Sequence, residues 1–126
     1  MPDSAAHIAQ AATNEALSQQ LETSYPEWAV TALFYAALHY VQAYFFDNAA
    51  SMQPQHYLTH GRRDQGVAQR LQSLHGGYLT LEDASQDARY ECMVFATVDV
   101  QELRGDHLVP IKQYILARSH APPAAP

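Results

Sequence analysis

The sequence predicts an all-α fold, an antiparallel bundle of four to five helices, and three observations predict it. The stretch "WAVTALFYAALHYVQAYFF", residues 28–46, is apolar on most faces, apolar residues elsewhere recur at helical spacing, and nowhere do apolar and polar residues alternate with period two. With 126 residues and 48% apolar composition, the chain can build one core and is short for a second. We therefore expect one domain over 1–118, followed by a disordered Pro/Ala tail, "SHAPPAAP", over 119–126. That tail cannot continue a helix and has little to bury.

The first helix, about residues 4–22, follows mainly from Ala, Gln and Glu propensity, with a sparse apolar stripe at Ile8, Ala12, Leu17 and Leu21. "SYPE", Ser24 to Glu27, has a Ser with Glu three residues later and Pro between, and predicts a capped start for a second helix over 25–47. Residues 47–55, "DNAASMQPQ", have no period and predict a loop. Val67, Leu71 and Leu74 set a third helix over about 59–75, which Gly76-Gly77 should stop. Tyr78, Leu79 and Leu81 form an apolar patch, after which Ser85 and Asp87 can cap a short helix to about Val94. Thr97 and Asp99 offer another start; from there Val100, Leu103, Leu108, Ile111 and Ile115 keep a helical period to Arg118. Gly105 and Pro110 should bend that last helix or divide it.

Charge and cysteine content narrow the function classes. The formal charge is −6 and Lys112 is the single lysine, which excludes general affinity for nucleic acid through many phosphate contacts. Any phosphate contact must come from local arginines. Cys92 stands alone and looks buried beside Met93, Val94 and Phe95, so neither a disulfide framework nor a Cys-based zinc spacing is expected. "MPDSAAHIAQAATNEALSQQL" has neither the basic start nor the apolar run of a secretory signal, and a cytoplasmic location is the expectation. Residues 28–46 are nearly long enough to span a bilayer, yet Thr31, His39, Gln42 and three tyrosines interrupt them; we read a buried central helix and no membrane association.

The order "EWAVTALFYAALHYVQAYF", "HYLTHGRRDQGV", "DARYE" and a last helix ending "IKQYIL" resembles small bacterial HEPN-like proteins, the higher eukaryote and prokaryote nucleotide-binding family, over residues 25–117. The resemblance implies a helical bundle that pairs with itself as a homodimer. It implies either a metal-independent endoribonuclease of a toxin–antitoxin or phage-defence type, or a non-catalytic module that binds a nucleotide or a protein partner such as an antitoxin or a nucleotidyltransferase. Catalytic members carry an Arg followed by His with four to six residues between. Arg70 and His75, in "RLQSLH", fit that spacing, although Leu71 stands where a polar residue is usual.

Independently of family, "HYLTHGRRDQGV", residues 56–67, gathers the residue types that metal-free RNA cleavage needs. Histidine titrates near neutrality and can move the 2′-hydroxyl proton, while the arginine fork matches a phosphate. His60 and Arg63 would share a helix face, and His56, His60 and Arg62 lie at a helix start whose N–H groups favour an anion. The alternative is a solvated first turn made by Arg62, Arg63 and Asp64. His39 is either a satisfied core residue or part of a polar wall facing His60 or Arg63. Arg89 and Tyr90 either complete that wall, or Arg89 pairs with Asp87 or Glu91 while Tyr90 packs. His56 and His60 form an i, i+4 pair, but no HExxH-type string accompanies them, so no metal is expected, and no cofactor motif is present.

Overall fold

In a computed structural model of the chain, residues 2–48 and 59–119 are described, and no strand occurs among them. The fold is all-α. Helix α1 spans Ser4–Leu21, α2 Pro26–Asp47, α3 His60–Arg70, α4 Gln72–Tyr90, α5 Thr97–Leu103 and α6 Val109–Arg118. His56, and residues 120–126 of the expected tail, lie outside the described residues.

Helix α2 is the axis of the bundle. Ala29, Val30, Leu33, Phe34, Ala36, Ala37, Tyr40, Val41 and Phe45 are all buried, so apolar side chains on every side of it meet another helix. It is long and apolar enough to cross a membrane by length and composition, yet 78% of its most apolar stretch is buried inside the molecule, as in a core helix. Helix α1 runs antiparallel to α2: the Ser4 hydroxyl donates to Asp47, at the far end of α2, at 2.9 Å, and His7 meets His39. Helix α4 is also antiparallel to α2, with Arg89 beside Tyr35 and Phe95 beside Glu27. The α5–α6 segment runs in the same sense as α2. The Thr97 hydroxyl donates to the Glu22 carbonyl, and the Tyr44 ring lies tilted against Tyr114.

Local caps explain two starts. Asp3 accepts the Ala6 N–H at 2.9 Å and Thr59 accepts the Arg62 N–H at 3.2 Å, each satisfying an orphan donor of a first turn. The expected cap at Ser24 is not made. Tyr25 occupies the N-cap of α2 without a side-chain bond, and Pro26 alone sets the first turn.

The third helix differs most from expectation. It stops at Arg70, Leu71 leaves helical geometry with φ −130° and ψ 51°, and α4 begins at once and runs straight through Gly76-Gly77. Glycine costs helix stability only through propensity, roughly 1 kcal/mol each. Burial of Leu74, Tyr78 and Leu81 on α2 offsets it. For the same reason Ser85 and Asp87 are interior to α4 and start no helix. The helix ends at Tyr90, not Val94, and residues 92–96 are non-helical. Cys92, expected in the core, is exposed and holds φ 54°.

Between α5 and α6 the helix widens into a π-turn at Arg104–Leu108, where the Val109 N–H reaches the Arg104 carbonyl five residues back. Pro110 has no N–H to give the Asp106 carbonyl, and its ring crowds that turn, which accounts for the widening. The result is one continuous helix with a π-turn rather than two separate pieces.

Candidate functional site

The break at Leu71 builds the site. His60 and Glu82 are 22 positions apart, and on one straight helix they would sit about 33 Å apart along the axis. Because the chain reverses at Leu71, His60 Nδ1 instead lies 3.6 Å from Glu82 Oε2.

Helix α3 contributes one face to this junction: His60, Arg63, Asp64 and Val67 follow the i, i+3, i+4, i+7 spacing. Helix α4 contributes Tyr78, Glu82, Ser85 and Arg89 at the same kind of spacing, and α2 contributes Phe34, Tyr35 and His39. Phe34 forms the floor, with its ring centroid 5.8 Å from His60 and 5.6 Å from Tyr78. Arg63 is only 6% exposed, unlike the solvated turn that was its alternative reading. Its guanidinium is 3.3 Å from His60 Nδ1, and its positive charge acts on the Tyr78 hydroxyl.

Burying these groups together moves their proton affinities. Glu82 is pushed up from 4.5 to about 7, first by burial, then by sharing a hydrogen bond with the Asp64 carboxyl and by the negative charge of Asp64 and Asp83; the positive charge of Arg63 only partly opposes this. Burial raises the Tyr78 hydroxyl as well. His60 is lowered, by burial and then by the charge of Arg63, and Arg89 acts in the same direction. His39 is lowered for the same two leading reasons, burial and Arg63. Both histidines are therefore biased toward the neutral imidazole, which can accept a proton.

The surroundings lock this junction. The Ser85 hydroxyl donates to the Glu82 carbonyl at 3.1 Å. Arg89 donates to the Ser85 carbonyl and hydroxyl, both at 3.2 Å, and to the Tyr35 hydroxyl at 3.3 Å. It thus ties α4 to α2, and it lies over the Tyr90 ring at 4.9 Å from the centroid. His39 turns to α1, with its Nδ1 3.0 Å from His7 Nδ1 and the rings stacked.

The structure brings together His60, Arg63, His39 and Arg89 of the residues singled out from sequence. Arg62 is exposed in the first turn of α3, and Tyr90 is exposed at the end of α4. Arg70 and His75 flank the chain reversal, about 15 Å along α3 from His60 and about 10 Å along α4 from Glu82. Among the described residues, no hydrogen bond joins either one to the cluster.

Sequence reasoning missed Asp64, Tyr78 and Glu82 as site residues, placing Asp64 in a solvated turn and Tyr78 in an apolar patch. Their signal was available: Glu82 is a carboxylate on the helical stripe that carries Leu74 and Tyr78, and a charge on a buried stripe needs a partner. The described residues contain no group of three or more His, Cys, Asp or Glu able to hold a metal ion. No family model, curated protein or solved structure matches this chain.

Proposed function

We propose that the protein is a metal-independent endoribonuclease of the HEPN-like kind, acting as a homodimer, with His60 rather than His75 as its proton-transfer group. One observation carries this reading. His60 has Nδ1 turned inward onto Glu82 and Arg63 while its side chain is 51% exposed, which leaves Nε2 for a substrate.

In this reading His60 is the neutral tautomer whose Nδ1–H faces Glu82, so its Nε2 takes the proton of a 2′-hydroxyl, the 2′-oxygen attacks phosphorus, and the bond to the 5′-oxygen breaks. In a pair of copies, the protonated His60 of the second copy gives the leaving oxygen its proton, so one imidazole gains the proton that the other loses. Arg62, exposed in the first turn of α3, balances the charge building on the phosphate. Arg63 and Glu82 are too buried to touch RNA and act as positioning residues that fix the imidazole.

The second reading is a non-catalytic module that works by binding a nucleotide or a protein partner such as an antitoxin or a nucleotidyltransferase. It is favoured by the exposure of Trp28 and Tyr90, which stand on either side of a cleft of about 340 Å³ beside Arg89.

The deciding experiment is cleavage of labelled RNA with chelator present. His60→Ala should lower the rate by about 10²-fold or more, the usual worth of a general base, and His75→Ala should leave it unchanged. Loss of cleavage in His75→Ala with His60→Ala intact would overturn the assignment. A wild-type protein that leaves RNA whole would overturn the ribonuclease reading and leave the binding reading.

A further inference from the structure

Helix α4 serves two surfaces. Tyr78, Glu82, Ser85 and Arg89 face the His60 cluster, whereas Thr80, Asp83, Ala84 and Asp87, each two positions before or after one of them and so about 200° around the helix from it, line another face. That second face lines a groove of about 570 Å³, within the range of roughly 300–1,000 Å³ common for ligand clefts.

The groove has an apolar floor and an acidic rim. Met93, Val94, Phe95, Leu103 and Ala84 line it, and Val94 is 84% exposed, the most solvent-facing large apolar side chain among the described residues. Five carboxylates surround them: Asp83 and Asp87 from α4, Asp99 and Glu102 from α5, and Asp106 from the π-turn. No Lys or Arg lines the groove, and His107 is the only basic side chain that does. Asp99 accepts the Ala96 N–H at 2.8 Å, while Asp83, Asp87, Glu102 and Asp106 make the rim acidic and complementary to a cationic partner.

The backbone holds this shape open. Cys92, at positive φ, turns the chain out of α4, so Met93 and Val94 lie along the groove and not in the core, while Phe95 packs against the core. The π-turn rotates Asp106 and His107 to the opposite wall, and such turns recur at functional positions.

We propose that this groove docks a basic amphipathic segment of another protein, its apolar residues on Met93 and Val94 and its Lys or Arg side chains on Asp83, Asp87, Glu102 and Asp106. Charge complementarity selects this occupant. A second copy of this acidic chain would bring like charge against like, and RNA would be repelled for the same reason. The docking surface lies on another face of α4 than the His60 cluster, so it does not depend on the ribonuclease reading.

The test is fluorescence anisotropy of a labelled 18-residue Leu/Lys peptide with its leucines at helical spacing, against a peptide of identical composition with scrambled order. The full chain should bind the amphipathic peptide at least tenfold more tightly than the scrambled one. Val94→Ser, which changes no charge at an exposed position, and Glu102→Gln should each weaken binding about threefold or more. Glu91→Gln, an equal charge change outside the groove, should leave it unchanged. Equal binding of the two peptides, or equal effects of Glu102→Gln and Glu91→Gln, would reduce the interaction to general charge attraction and overturn the proposal.

Discussion

Replacing Glu82 with Gln should make the protein more stable at alkaline pH and leave it nearly unchanged at acid pH. Glu82 has a folded-state pKa of about 7 against 4.5 for an ordinary glutamate, so the folded protein binds this proton more tightly than the unfolded chain does. The stability it contributes is therefore complete below about pH 4.5, falls as pH rises, and is lost once pH passes about 7. At about 1.4 kcal/mol per tenfold change in proton affinity, the loss is on the order of 3 kcal/mol. Its side chain is only 8% exposed, so solvent screens little of that. Because Asp64 shares the proton, this figure is an upper limit for Glu82 alone.

Glutamine keeps the shape and cannot ionise. His39 and His60, lowered in the folded state, titrate in the opposite sense, with stability lost as pH falls through their folded values. They remain in both proteins, so comparing wild type with Glu82→Gln isolates the carboxyl. The assay is urea denaturation at pH 5 and pH 8. With a slope of about 1–3 kcal/mol per molar urea, the variant's midpoint should exceed that of wild type by about 1 M or more at pH 8, and by only about a quarter of that gap at pH 5. The same gap at both pH values would refute the claim that burial and Asp64 hold this carboxyl protonated.

Arg63→Met should destabilise the fold by about 3–5 kcal/mol in urea denaturation at pH 8, because Asp64 and Glu82 lose the cation buried beside them. Gly76→Ala should stabilise the protein by about 0.5–1 kcal/mol in thermal unfolding, since a Cβ there meets open space within a helix. Gly77→Ala should gain less or lose, because its new Cβ would lie 3.3 Å from His107 Nδ1. If the proposed homodimer pairs through Trp28, which is 62% exposed, Trp28→Ser should lower the mass measured by sedimentation from that of two chains to that of one without changing the helical circular dichroism signal.

Much of the site's outline is legible locally. His60 and Arg63 fall on one face by spacing alone, and Thr59 caps their helix through a bond three residues long. The acidic partners are not legible that way. Glu82 reads as part of a polar string, "EDASQDARYE", until Tyr78 and Leu74 place it on a buried stripe. The Arg70 to His75 spacing presumes one helix, and a single non-helical residue, Leu71, removes that premise.

The sequence by itself determined the all-α class, the central place of residues 28–46 and the bend near Pro110. Each of these follows from apolar periodicity or from a missing N–H, properties that a segment carries wherever it goes. Tertiary structure alone decided that Gly76-Gly77 would not end a helix, that Cys92 would face solvent, and that Arg63 would be buried against Asp64, Tyr78 and Glu82. Those outcomes depend on what α2 offers to cover. A weak local preference of about 1 kcal/mol yields when several large side chains can be buried by ignoring it.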